Sequence, residues 1–303
     1  METDAREVVR VGEPRVLSRR QLLALGLGSA AVLAGCGQDR FRLRGDTETP
    51  VAVTVPGLVT NSPFYAAHRG GGDDWPEMTA YAYAQAARLP GLKALEISAC
   101  LSSDGVLVCS HDASTKRVTG TDLVVAKETW STLSELQVSS AGTHDPEQPS
   151  QPLARFEDIV RTYLDDFVLF VEPKVAAAVQ PMMDLMVRLG QPTRVVWKQP
   201  INSTTFALAR QHGFTTWGYV LDEPAHLGAR LARFAESPDV DMLGVSDEQS
   251  DAFVREVVDA AEGNGKRTMA WPVRTPTRAQ RAQDLGCSGL MTSDPYELLP
   301  APR

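Results

Sequence analysis

From Phe64 onward, short runs of apolar and β-branched residues alternate with longer segments whose apolar positions recur at helical spacing. Residues 64–67, 94–101 and 106–110 read as strands, with a helical segment ending near Pro90-Gly91 and a turn at Ser103-Asp104-Gly105. Further strands are expected at 167–171, 194–197, 216–221, 242–245, 267–271 and 289–292. Helices are expected between them at 153–164, 176–189, 204–211, 224–235, 251–262 and 277–285. Strands separated by helices imply parallel pairing with right-handed crossovers. About eight such units over roughly 250 residues match a closed barrel. An open doubly wound sheet would want a glycine-rich phosphate loop after its first strand. Gly70-Gly71-Gly72 instead runs into Asp73-Asp74, which repels a pyrophosphate. The expected fold is therefore α/β, a TIM-like (β/α)8 barrel in a single domain over residues 58–303. A small irregular insertion, around residues 112–152, is expected after the second barrel strand.

The N-terminal pattern differs. Ser18-Arg19-Arg20-Gln21-Leu22-Leu23 is a twin-arginine pair followed by an apolar stretch to Leu33, too short for a comfortable membrane span. It ends in Leu33-Ala34-Gly35-Cys36, which resembles a bacterial lipoprotein cleavage box. Residues 1–35 are accordingly expected to be a removed export signal and 36–57 a tether lipid-attached at Cys36. That describes an exported bacterial protein anchored on the outer face of the cytoplasmic membrane. With Cys36 lipidated, Cys100, Cys109 and Cys287 remain, an odd set in which Cys100 and Cys109 are expected as buried free thiols. No Cys/His spacing suggests zinc.

Charge narrows the partners. The formal net charge is −8, and residues 1–35 carry five Arg against four acids, so the remainder stands at −9 (−8 less +1). With no basic run beyond Arg40–Arg44, a nucleic-acid partner is not expected. An acidic chain acting on an anion must concentrate positive charge locally, which draws attention to Arg69 and Lys174.

The ionisable groups at or just inside strand ends are His68, Arg69, Glu96, His111, Asp112, Glu172, Lys174, Lys198, Asp247 and Asp294. In a barrel those ends converge on one face. His68 and His111 suit a general acid and a general base at neutral pH. Glu96 and Glu172 suit a hard divalent cation, which prefers oxygen ligands. Arg69 and Lys174 suit the non-bridging oxygens of a phosphate, and Lys198 is a further candidate contact. Trp271 is a candidate wall of the substrate pocket. His144, His212 and His226 read as surface residues. The set describes metal-assisted phosphoryl transfer without a covalent serine.

These residues also carry a resemblance. His68-Arg69-Gly70, Pro76-Glu77-Met78-Thr79, Glu96-Ile97-Ser98, and Asp104-Gly105 with Val108-Cys109-Ser110-His111-Asp112 resemble the opening of glycerophosphodiester phosphodiesterases. Glu172-Pro173-Lys174 resembles that family's later Glu-x-Lys strand end. Ala270-Trp271-Pro272-Val273 and Gly289-Leu290-Met291-Thr292-Ser293-Asp294-Pro295 resemble its two closing strands. The resemblance implies a barrel that hydrolyses glycerophosphodiesters to sn-glycerol 3-phosphate and an alcohol. It implies His68 and His111 as the acid–base pair and one divalent cation, Mg2+ or Ca2+, on Glu96 and Glu172. Arg69 and Lys174 would hold the phosphate.

Two positions depart from the family pattern. Ser98 stands where the metal motif has Asp, which removes a negative charge. Cation affinity is expected to fall unless another acid substitutes, Asp112 being the nearest, with Asp73 and Asp74 as loop alternatives. Met78 stands where the family usually has Asn, so one polar contact is expected to be lost. Ser98 and Met78 motivate an alternative, a catalytically weak or inactive barrel acting as a surface binding lipoprotein. A third reading, a phospholipase acting on intact lipids, ranks last because the loop 135–151 is polar.

Overall fold

The computed structural model describes residues 53–221 and 227–299. The expected export signal, Cys36 and His226 lie outside the described residues. Eleven strands occur among those described: β1 Phe64–Ala67, β2 Ala94–Leu101, β3 Leu107–Cys109, β4 Gln137–Val138, β5 Gln151–Pro152 and β6 Val168–Pro173, then β7 Val195–Pro200, β8 Thr215–Tyr219, β9 Met242–Ser246, β10 Arg267–Val273 and β11 Gly289–Thr292. All of β1, β2 and β6 to β11 pair in parallel, and β1 pairs with both β2 and β11, which closes an eight-stranded barrel. The expected (β/α)8 barrel is found, with one refinement. The run 106–110 is not a barrel strand; β3 folds back antiparallel on β2, with Ala99 opposite Cys109.

Helices form where the apolar spacing places them. Asp251–Glu262 buries Phe253, Val254, Val257, Val258 and Ala261, and the Ser250 side chain caps it by accepting from the Phe253 N–H. Ala176–Leu189 stops at Gly190, whose φ of 71° makes a left-handed C-cap. Of the helix expected at 224–235, residues 224–226 lie outside the described residues, and the helix found is Gly228–Glu236.

Alternation along each strand separates two layers. Leu95, Ile97, Leu169, Val171, Val195, Trp197, Leu243 and Leu290 face the helices. Phe64, Ala66, Ala94, Val168, Phe170, Val196, Trp217, Met242, Met269 and Met291 fill the lower barrel. The helix Val55–Thr60 adds Val55 and Leu58 to that lower cluster, with Val53 packed beside them. It straddles the boundary expected at residue 57, so the packed fold begins a few residues earlier than the tether assignment. The insertion between β2 and β6 has its own small core of Cys100, Val108, Val125, Leu133, Val138 and Leu153. Cys100 and Cys109 are buried free thiols, as expected, and Cys287 is one too.

Candidate active site

Above the apolar floor the same inward alternation delivers polar side chains. Two residues past Ala94 and Phe170 come Glu96 and Glu172, and two past Val196 comes Lys198. Ser98 lies directly opposite Glu172 in the β2–β6 register, and β7 lies next to β6 with Val171 opposite Trp197. All four side chains are buried.

Lys198 stands between the two acids. Its Nζ is 2.8 Å from Glu96 Oε1 and 2.7 Å from Glu172 Oε2. The Ser98 hydroxyl reaches both as well, at 2.8 Å to Glu96 Oε1 and 3.1 Å to Glu172 Oε2. Glu96 Oε2 accepts from the Arg69 backbone N–H at 2.8 Å. Glu172 Oε1 accepts from Lys174 Nζ at 2.9 Å and from the Tyr219 hydroxyl at 2.6 Å. Burial would raise both carboxyls, but Lys198 outweighs it and holds each down to about 2. Burial likewise works to discharge Lys198, and the two carboxylates outweigh it to raise its pKa.

The histidines sit at the rim. His68 opens a one-turn 3-10 helix, His68–Gly70, immediately after β1. Arg69, Gly70 and Gly71 all have positive φ, at 54°, 76° and 90°. Gly71 also needs to lack a side chain, since a Cβ there would come within 2.8 Å of the Trp75 ring and 2.9 Å of Pro295. This turn aims the Arg69 amide at Glu96. His68 Nδ1 lies 2.8 Å from Ser293 Oγ, which fixes the ring and leaves Nε2 for substrate. Burial, with Arg69, Lys198 and His111 nearby, pushes its pKa well below 6.5. His111 follows β3, with Nδ1 2.8 Å from Asp112 Oδ1 and Nε2 3.3 Å from Lys174 Nζ. Its pKa is lowered by burial, Arg69 and Lys174, with Asp112 opposing.

A chain of alternating charges joins the rim. Arg69 Nη1 meets Glu77 Oε2 at 3.1 Å, and Arg117 grips the same carboxylate at 2.6 and 3.0 Å. Arg117 Nε then meets Asp112 Oδ2 at 2.6 Å. Asp112 thus spends one oxygen on His111 and the other on Arg117; it is turned away from the Glu96–Glu172 pair. Trp271 packs edge-on to Tyr219, with ring centroids 5.5 Å apart. Its indole N–H and the Arg69 Nε are buried without a partner among the described residues.

The expected residues His68, Arg69, Glu96, Ser98, His111, Asp112, Glu172, Lys174 and Lys198 form one connected cluster, with Trp271 attached through Tyr219. Lys198 differs from its expected role: it is enclosed between the acids instead of projecting to substrate. Asp247 lies apart, its backbone carbonyl taken by Arg278 and Arg281 at 2.7 Å each. Met78 adopts φ 58° with its side chain in the core and its N–H bonded to the Arg69 carbonyl at 2.9 Å. The left-handed backbone is a conformation Asn takes more readily than Met. Sequence reasoning gave no role to Glu77, Arg117, Tyr219 or Ser293. Tyr219 and Ser293 carried a usable signal, inward parity at the ends of β8 and β11; Arg117, inside the insertion, carried none.

Another group was foreseen only in part, through Asp74 as a loop alternative and Asp294 as a strand-end acid. Among the described residues Asp74, His144 and Asp294 bring ligand-type atoms within 4.8 Å of one another and could hold a metal ion. His144 is exposed, as expected, yet its ring lies 3.5 Å from Asp74 and 3.6 Å from Asp294. Burial raises the Asp74 carboxyl to about 7, with Asp294 adding to the rise and the Tyr296 N–H opposing it. Asp73, the other loop alternative, pairs with Arg274 at 2.7 Å. The donor chemistry of the two acidic groups differs. The Asp74–Asp294 pair has an imidazole and the backbone N–H groups of Tyr296 and Glu297 beside it, all of them neutral donors or acceptors when His144 is unprotonated. At Glu96–Glu172 every carboxylate oxygen already accepts a hydrogen bond, and the ammoniums of Lys198 and Lys174 balance both charges. A divalent cation does not fit between Glu96 and Glu172 in this arrangement.

Comparison with known proteins places these observations in context. Residues 68–297 match the model of the glycerophosphoryl diester phosphodiesterase family, which typically works with a metal. A stretch of 93 residues is 38% identical to glycerophosphodiester phosphodiesterase GDPD6 of Arabidopsis thaliana. That match takes in 31% of this chain and spans about a quarter, 24%, of the plant protein. Among solved structures, a putative glycerophosphoryl diester phosphodiesterase from Agrobacterium tumefaciens superposes with a TM-score of 0.65 at 18% identity, covering 78% of this chain and 95% of its own. The Thermotoga maritima glycerophosphodiester phosphodiesterase gives 0.61 at 20% identity, covering 78% and 97%. An Oleispira antarctica phosphodiesterase, solved with its product sn-glycerol-3-phosphate, gives 0.62 at 20% identity, covering 78% and 95%.

Proposed function

Because the chain belongs to the glycerophosphoryl diester phosphodiesterase family, and so to the phosphoric diester hydrolases, we propose that it hydrolyses glycerophosphodiesters to sn-glycerol 3-phosphate and an alcohol. The observation that carries the reading is the gathering of His68, His111, Arg69 and Lys174 over one polar barrel mouth. The product seen in the Oleispira antarctica relative supports the substrate class.

In this reading Arg69 and Lys174 bind the phosphoryl oxygens, with the Lys174 ammonium swinging from His111 to phosphate. His68, kept neutral by its surroundings, takes the proton of the glycerol hydroxyl next to the ester as that oxygen attacks phosphorus. His111, oriented by Asp112, gives a proton to the departing alcohol. A cyclic phosphate results, and water opens it with the two histidines exchanging roles. Trp271 serves as a wall of the glycerol pocket beside Tyr219. No step is assigned to Mg2+ or Ca2+ at Glu96 and Glu172. A cation held by Asp74, His144 and Asp294 would supply positive charge that fastens the insertion to the loop after β1.

The binding-protein alternative rested on Ser98 and Met78 as lesions, and Met78 does occupy the core where a polar contact was expected. The bridge that Ser98 makes between two carboxylates gives it a place in a complete network, which favours the enzyme. The export and lipid anchor are proposed on the leader alone: mass spectrometry should find a diacylglyceryl group on Cys36, and an unmodified, uncleaved N-terminus would remove that proposal. For the activity, the purified chain is incubated with glycerophosphocholine and glycerophosphoethanolamine and sn-glycerol 3-phosphate is measured. His68→Ala and His111→Ala should each slow release by about 10²–10⁴-fold. Release unchanged in both variants, or no release by the folded parent, defeats the proposal.

A further inference from the structure

We propose that Lys198 takes the place of a divalent cation between Glu96 and Glu172, so that this chain works without a metal at those carboxylates. The inference builds on the phosphodiesterase reading above and departs from the usage typical of the family.

Position is the first argument. The ammonium lies 2.8 and 2.7 Å from one oxygen of each acid, where a bridging ion would have to sit. It cannot easily leave. The Lys198 side chain is 7% exposed, and the rings of Trp217 and Tyr219 stand 5.8 and 5.5 Å from its nitrogen. Gly244 makes that enclosure possible, because a Cβ there would come within 2.4 Å of the Trp217 ring.

Charge is the second. Two carboxylates face two ammoniums, Lys198 and Lys174. Adding a divalent ion would leave a buried group two charges positive, which is costly away from water. Ser98 fits the same account. A hydroxyl lies within donating distance of both acids and shares its one proton between them, whereas a third carboxylate would outnumber the two ammoniums. Ser98 and Lys198 therefore belong together, one charge removed and one fixed charge supplied.

Lys198 in this account is a positioning residue. It holds Glu172, Glu172 holds Lys174, and Lys174 faces His111 and the phosphate. The positive charge that phosphoryl transfer needs on its developing oxyanions comes from Lys174 and Arg69.

The test is Mn2+ titration of the chelator-treated chain by calorimetry, alongside turnover in EDTA. Turnover in EDTA is expected within about twofold of the untreated rate, with no Mn2+ bound at Glu96–Glu172. The double variant Lys198→Met/Ser98→Asp should bind Mn2+ at least ~100-fold more tightly than the parent. Mn2+ binding that persists in Glu96→Gln and vanishes in Asp74→Asn belongs to the Asp74 group and leaves the proposal standing. A stoichiometric ion lost in Glu96→Gln or Glu172→Gln, together with turnover abolished by EDTA, overturns it. A chain that turns over no diester under any condition refutes the enzymatic reading, while the titration of the parent still decides this one. The parent titration also decides it if the double variant does not fold.

Discussion

Replacing Lys198 with Met tests the buried network through stability alone. The change removes an ammonium in contact with two acids while keeping most of the side-chain volume. Glu172 would retain Lys174 and the Tyr219 hydroxyl. Glu96 would retain only neutral donors, the Arg69 amide and the Ser98 hydroxyl, so the loss falls mainly there. Stranding one buried charge costs about 3–5 kcal/mol. A domain of this size shifts by roughly 2–4 °C per kcal/mol, so the melting temperature should fall by roughly 6–20 °C. The companion variant Lys198→Met/Glu96→Gln also removes the stranded charge and should recover about 2 kcal/mol or more. Acidity supplies an independent check. In the parent, Glu96 is held at about 2, below its ordinary value of 4.5, so its contribution is full above 4.5 and lost as pH falls toward 2. Without Lys198 burial raises that carboxyl, and the variant gains a proton, and relative stability, as pH falls through the raised value. Thermal unfolding at several pH values should therefore show the gap narrowing on acidification. A Lys198→Met variant within about 1 kcal/mol of the parent at neutral pH, with no recovery from the second change, refutes the argument.

Other predictions address the rim. His68 must be neutral to act as base and His111 protonated to act as acid, and both pKa values are lowered from 6.5. The kcat/KM profile should peak on the acid side of 6.5; a plateau extending to alkaline pH reverses or removes the assignment. Asp112→Asn keeps the shape but weakens the hold on His111 and on Arg117, so kcat should drop about 10–100-fold with a smaller effect on KM. An unchanged kcat with a raised KM would place Asp112 on the substrate instead. Gly71→Ala forces a Cβ onto Trp75 and Pro295 at φ 90° and should cost about 1–3 kcal/mol, read by urea unfolding. A neutral result there means that the turn can move.

Much of the barrel was legible because its strands are short, apolar and separated by capped helices. The strand 106–110 was misplaced for a physical reason. A hairpin strand and a barrel strand share the same local pattern, and only pairing direction tells them apart. Glu96, Glu172 and Lys198 were each visible as ionisable groups on apolar strands. Their meeting was not, since it depends on how β6 and β7 are staggered against β2. Arg117 was hidden altogether, because nothing local marks a surface-like arginine in an insertion as the clamp of Glu77 and Asp112. His144 is a similar case, an exposed loop residue set against two acids from distant parts of the chain.

The helix Val55–Thr60 gives the molecule a back and a front. It stops the end of the barrel where the strands begin, while the histidines stand where the strands end. The barrel is thus stoppered at one end and gathers its chemistry at the other, so a diester meets the histidines from the polar end alone.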